Sequence, residues 1–295
     1  MRGSATSLPC ERDPAPTTDG ATIVPSRRIA RSWTDQPLPF GLDEPMRLLG
    51  RSAASIDTLA EGLALEWAPN LQRAVVKSCL VQSAEQRPWF RLPATALVAR
   101  PGAGRTLMAR ILARSVELPF AIVDVSQFGA PEAKRRAAPD VALPTAPVLV
   151  MAASRCANPV VLLTGTDDAG PEALETVRRL VDPAANARWS EPGMQASVDL
   201  SQVTWLLQCS SMNGLPRQLS AVVQEEPVEV EGWATRLRAI CIVEEVLREF
   251  DADPRAKARA FDKLPARIAD DRSSAASHHR LIAEAAVRAF LSTDA

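Results

Sequence analysis

The sequence predicts an α/β protein: a five-stranded, mostly parallel sheet covered by helices on both faces, followed by a small helical domain. Three observations lead there. Short apolar runs alternate with stretches of helical periodicity, the pattern of strands joined by crossover helices. The first of those runs ends in a Gly-rich turn that opens a helix. After Gly232 no strand-like run occurs.

The chain divides into four parts. Residues 1–45 hold Pro9, Pro14, Pro16, Pro25, Pro37 and Pro39 among polar residues. Such a stretch buries too little apolar surface to offset its ordering entropy, so it is expected to be a disordered or loosely docked arm. An arm that docks on a neighbouring subunit through Trp33 and Phe40 is the alternative. Residues 46–90 carry two helices: Ile56, Leu59, Leu63 and Leu65 recur at helical spacing, and Leu71, Val75, Val76, Cys79 and Leu80 do so again after Pro69. Residues 91–232 form the α/β core. Its strands are expected at Ala94–Ala99, Phe120–Val125, Pro159–Leu163, Gln202–Gln208 and Pro227–Val230, with a helix at Thr106–Val116 after the first. Trp205 belongs to the core, and the pair Glu225 and Glu226 to a solvated turn. Residues 233–295 read as three helices, Thr235–Phe250, Ala256–Asp270 and Ser277–Leu291, with Asp253-Pro254 marking a helix start.

Composition narrows the function classes. The 295 residues have a net charge of −1, 46% are hydrophobic and 23% are charged. That balance supports a real core and gives no reason to expect nucleic-acid binding. Two His, the neighbours His278 and His279, disfavour a His-based relay or a multi-His metal site. Five scattered Cys without C-x-x-C spacing fit buried thiols in a reducing compartment. No apolar run is long enough for a membrane span and the N-terminus lacks a secretory h-region, so a cytoplasmic location is expected.

The turn Ala99-Arg-Pro-Gly-Ala-Gly-Arg-Thr106 lies between a strand and a helix, the context of a phosphate-binding loop. Such a loop points backbone N–H groups inward, adds the helix N-terminus, and uses a Lys for the outer phosphates and a Ser/Thr hydroxyl for Mg²⁺. Gly102, Gly104 and Thr106 suit those roles. Ala99 stands where the first Gly belongs, and Arg105 where the Lys belongs, which keeps the charge but changes its shape. Two Gly in a strand-turn-helix connection also serve a purely steric purpose.

A second signal follows downstream: Asn158-Pro-Val-Val-Leu-Leu-Thr-Gly-Thr-Asp-Asp-Ala-Gly170, then Leu180-Val-Asp-Pro183 with Asn186, then Val198-Asp-Leu-Ser-Gln-Val203 and Ser210-Ser-Met-Asn-Gly-Leu-Pro216. In this order the series resembles the ATPase module of Lon proteases and the stand-alone bacterial Lon-like AAA+ ATPases. The corresponding family runs read approximately NPVVLLDEIDKAG, LLEVLDPEQN and VDLSKVxFIATANxLDxIP. The resemblance extends from about Ala94 to Gly232-Trp233, and more loosely over the C-terminal helices. It implies a three-layer AAA+ P-loop sandwich with a helical lid, ATP or ADP with Mg²⁺ as cofactors, and an oligomer, formed with an active paralogue or engaged with a protein client. It also implies a nucleotide site from Pro101, Gly102, Ala103, Gly104, Arg105, Thr106 and Leu107, with Thr106 on the metal.

The same resemblance exposes what is missing. The Walker B pair, which supplies the Mg²⁺ carboxylate and the water-activating Glu, falls on Thr164 and Gly165. Asp167 matches a later Asp of the run, and Asp168 replaces a Lys. The sensor Asn falls on Ser210, with Asn213 three residues on, and the Arg finger on Val222, with Arg217 the nearest Arg. The second sensor Arg falls around Ser277 to Arg280, where His279 or Arg280 stands closest. Losing one group of the finger type costs about 10³ to 10⁵ in rate. A degenerate, pseudo-ATPase version of the module is therefore expected; an active remodelling ATPase and a scaffold that binds no nucleotide are the alternatives. A Lon-type peptidase is not expected, since the chain ends about where the lid would finish.

Overall fold

The computed structural model describes residues 26–33, 37–50, 69–85, 87, 89–128, 145–191, 194, 196–228, 239–244, 246–247, 254–269 and 282–289. In chain order the main elements are β1 (Ser26–Arg28), β2 (Ala30–Ser32), β3 (Pro45–Arg47), α1 (Pro69–Ala84), β4 (Thr95–Val98), α2 (Arg105–Ser115), β5 (Phe120–Asp124) and α3 (Ala146–Ser154). There follow β6 (Val160–Thr164), α4 (Pro171–Val181), α5 (Pro183–Asn186), β7 (Trp189–Glu191), β8 (Ala196–Val198), β9 (Thr204–Cys209), α6 (Arg217–Ser220), β10 (Gln224–Pro227) and α7 (Pro254–Ala269).

The central sheet has five strands in the order β10-β4-β9-β6-β5, and every neighbouring pair is parallel. Its strands alternate between two apolar layers because successive side chains leave opposite faces of a pleated sheet. Ala96, Val161, Leu163, Trp205 and Leu207 face one layer, together with α3 and α4 residues. Leu97, Val160, Leu162 and Leu206 face the other, packed by Leu71, Val75 and Cys79 of α1 and by Met108, Ile111 and Leu112 of α2. Both faces being covered explains why β6 and β9 are mostly apolar, through residues 160–163 and 205–207.

Four of the five strands, β4, β5, β6 and β9, fall within one or two residues of the expected places, and Trp205 is core, 2% exposed. The last strand is shifted. It runs Gln224–Pro227, not Pro227–Val230, so the glutamate pair sits in the sheet and not in a solvated turn. Pairing with β4 turns Glu225 outward and Glu226 inward, where it is 5% exposed and accepts a hydrogen bond from the Leu71 N–H in the first turn of α1. Burial pushes the Glu226 carboxyl up to about 7, against the pull of that N–H and of Arg73.

The described part of the expected loose arm, residues 26–33 and 37–45, is ordered against its own core. β2 adds to β8 and β7 in a three-stranded antiparallel sheet, β1 pairs with β3, and Ile29, Leu42 and Met46 are buried. A few well-placed apolar residues suffice because each strand only completes an existing surface. Trp33 and Phe40 remain exposed. The small sheet is tied to α3 by Glu191, a buried carboxylate that accepts from the Thr145 N–H, from the Thr145 hydroxyl at 3.1 Å and from Trp189 Nε1 at 2.8 Å. Burial raises its pKa; the three donors oppose that.

Asn158 fastens the N-terminal segment. Its side chain is fully buried, accepts from the Leu49 N–H at 2.8 Å, and donates to the Leu49 and Phe90 carbonyls at 2.7 and 2.9 Å. Of the two helices expected before the sheet, α1 is present and the first lies outside the described residues; Leu80 and Val81 of α1 are exposed. The C-terminal helices form an apolar cluster of their own, including Ile242, Val246, Leu264 and Val287, against which Leu107 of α2 packs. Among the described residues no helix is long and apolar enough to cross a membrane.

Candidate functional site

Strand β4 runs into a turn that is closed on itself and anchored to β9. The Ala99 N–H donates to the Cys209 carbonyl at 3.1 Å, and the Ala103 N–H to the Arg100 carbonyl at 3.3 Å. Gly102 (φ 81°) and Gly104 (φ 89°) are in the left-handed region, which accounts for both glycines. Pro101 is exposed at the turn and Ala103 is buried beneath it. Gly104 is the N-cap of α2, and no side chain caps that end. The first amides of α2 therefore lack an intrahelical acceptor and carry the positive end of the helix dipole.

Arg105 opens α2, buried to 8% exposure, and its Nη1 has no hydrogen-bond partner. Burial lowers its pKa, while the Asp167 carboxylate and the Cys209 thiol favour its charge. A buried, incompletely bonded cation at the positive end of a helix is unfavourable on three counts. An anionic group lying at this turn relieves all three, so the residues fit a phosphate.

They do not fit a divalent cation. The Thr106 hydroxyl already accepts a hydrogen bond from Gln208 Nε2 at 2.7 Å. The Gln208 backbone is held in turn, its carbonyl accepting from the Thr166 hydroxyl. Asp167, two residues after Gly165, accepts the Ser210 N–H at 2.9 and 3.1 Å and the Ser210 hydroxyl at 2.8 Å. Hard cations need several free oxygen ligands. Among the described residues no group of three or more His, Cys, Asp and Glu is placed to hold a metal.

Thr164 ends β6 with its hydroxyl facing the Val123 carbonyl at 3.5 Å, and Gly165 follows with φ 76°. A side chain begun at Gly165 would have its Cβ 3.1 Å from Asp124 Oδ1. That Asp124 carboxylate accepts the Ser126 N–H at 2.8 Å, and this bond holds its pKa below the usual range.

The structure brings Arg105, Thr106, Asp167 and Ser210 to one end of the sheet. It leaves Val222 half-buried against the core layer, and Asn213 exposed in the turn Met212–Gly214. His279 lies outside the described residues. Sequence reasoning missed Gln208. The available signal was a lone amide in the apolar run Val203–Cys209, close to the end of the strand beside the turn.

Taken together, a parallel sheet of order 5-1-4-3-2 in chain sequence, helices on both faces and a Gly-turn-helix after the first strand make this a three-layer α/β fold of the P-loop type. No family model matches the chain, and neither does any curated protein. Among solved structures the chain is similar to a mutant of Thermotoga maritima RuvB, with a TM-score of 0.44, 11% identity, and coverage of 76% of this chain and 69% of that one.

Proposed function

We propose that the chain is a Lon-like AAA+ P-loop protein that binds ATP or ADP at the turn Ala99–Thr106 and hydrolyses it poorly or not at all. It would then act as a regulatory or structural subunit of an oligomer, beside an active paralogue or a protein client. One observation carries the binding half of this reading: the buried Arg105 guanidinium with an unpartnered Nη1, set at an uncapped helix N-terminus beside two left-handed glycines. Arg105 and the opening amides of α2 would hold the phosphates, and the Gly turn would let the backbone approach them.

The impairment follows from what the remaining positions offer. Phosphoryl transfer relies on positioning and charge neutralisation. Thr164 and Gly165 bring no carboxylate, Asp167 is bonded to Ser210, and Val222 is packed inward. Losses at groups acting as a unit do not add, yet even one of about 10³-fold leaves little turnover.

Calorimetric titration with ATP and a coupled phosphate-release assay test both halves. The expected result is saturable binding, abolished in Arg105→Ala, with turnover at background. A second reading, an active ATPase, draws on Asp124, whose carboxylate lies next to the Gly165 position. Turnover at a rate ordinary for an ATPase that disappears in Asp124→Asn would favour it over the first.

A further inference from the structure

The candidate metal ligand of the turn is already taken, and by a donor. Thr106 Oγ1 has two lone pairs and one hydrogen. Gln208 Nε2 donates into one of those lone pairs at 2.7 Å, and the amide nitrogen keeps a second N–H. A small divalent cation on the same hydroxyl would sit about 2.1 Å from the oxygen, against amide hydrogens of positive partial charge. The amide is not a loose surface group. It is half-buried on β9, between β4 and β6 in the sheet, and the backbone carbonyl of Gln208 accepts from the hydroxyl of Thr166, which is buried. The carboxylate that would otherwise attract a cation, Asp167, is committed to Ser210 through both oxygens. Positive charge is instead built into the chain as Arg105, with Nη1 free of partners.

We infer that Gln208 takes the place of a divalent cation at this turn, so that the site binds the metal-free form of a nucleoside diphosphate through Arg105, the Gln208 amide and the N-terminus of α2. The inference deepens the nucleotide-binding reading and rests on it. A Gln N–H that reaches an anion is a charge-assisted donor, worth roughly tenfold or more in affinity. A diphosphate suits the charge better than a triphosphate, because one Arg and neutral donors offset less charge than an Arg with a bound cation.

The test is calorimetric titration of the full chain with ADP, once in excess EDTA and once in excess Mg²⁺. Tighter apparent binding is expected in EDTA than in Mg²⁺, by the factor by which excess Mg²⁺ depletes metal-free ADP; equal or tighter binding in Mg²⁺ counts against the inference. Gln208→Glu keeps the shape and replaces the donor by a carboxylate. It is expected to lose at least about tenfold in EDTA and to recover in Mg²⁺. Should that variant not fold, Gln208→Met removes the N–H at similar length, and about a fivefold loss in EDTA is expected. Wild-type binding that requires Mg²⁺ overturns the inference and leaves the nucleotide reading standing. So does an unchanged EDTA affinity in Gln208→Met. If folded wild-type protein binds ADP in neither buffer, the nucleotide reading itself is overturned.

Discussion

Replacing Asn158 by Ala should cost the fold about 3 to 5 kcal/mol. The side chain is fully buried and bonds three backbone groups: the Leu49 N–H, the Leu49 carbonyl and the Phe90 carbonyl. The Leu49 carbonyl keeps a second partner, the Phe90 N–H at 3.3 Å. Two groups are therefore left wanting, the Leu49 N–H and the Phe90 carbonyl, and each unsatisfied buried polar group costs about 1 to 3 kcal/mol. The truncated side chain also leaves a small cavity. Against a domain stability of about 5 to 15 kcal/mol, the loss is large. Urea unfolding followed by Trp fluorescence measures it, with Asn158→Asp as a companion that retains the acceptor, loses both donors and buries a charge. Asp should be at least as damaging as Ala. A loss below about 1 kcal/mol for Asn158→Ala would refute the reasoning, because it would mean that Leu49 and Phe90 are held by packing alone.

Three further outcomes follow from the same geometry. Glu226 titrates at about 7 in the folded chain against 4.5 when free, so the folded state holds a proton that the unfolded state has lost. Its contribution to stability is full below pH 4.5, declines between 4.5 and about 7, and is gone above; the difference is about 3 kcal/mol, and Glu226→Gln should flatten that part of a stability-versus-pH curve measured by urea unfolding. Gly165→Glu should not create a working Walker B: φ 76° disfavours any side chain and the Asp124 carboxylate lies at 3.1 Å from its Cβ, so melting experiments should show a loss of about 1 to 3 kcal/mol with no gain in phosphate release. Finally, Cys79, Cys156, Cys209 and Cys241 are all buried, with the Cys156 and Cys209 thiols pushed up to about 11 by burial, so a thiol-disulfide reagent at pH 8 should react with these four only after denaturant is added.

What the sequence made legible was whatever burial on two faces writes into it. Strands β6 and β9 carry the apolar stretches 160–163 and 205–207 because both sides of each are covered, and α2 shows its periodicity because one side is. The small sheet of β2, β8 and β7 left no such mark: its strands have three residues each, too few for an alternation to stand out. β10 was displaced for a related reason. Val228 and Val230 attract the eye, while the residue that turns inward within the strand is Glu226, whose burial only the pairing with β4 reveals. At the site, Arg105 and Thr106 could be read from a local motif, since their roles depend on the turn they belong to. Gln208 could not, because its partner Thr106 is 102 positions away and the contact exists only once β9 lies beside β4.

The first turn of α2 is shared property. Arg105 and Thr106 face the turn and β9, while the next residue, Leu107, packs against the apolar cluster of the C-terminal helices. An anion that moved the first two residues would bear on the third as well. By reciprocity, whatever tightens the C-terminal helices on Leu107 alters anion affinity by the same factor as the anion alters their docking. On the function proposed above, occupancy of the turn would then be reported by how firmly the last helices are held, with no need for a bond to be broken.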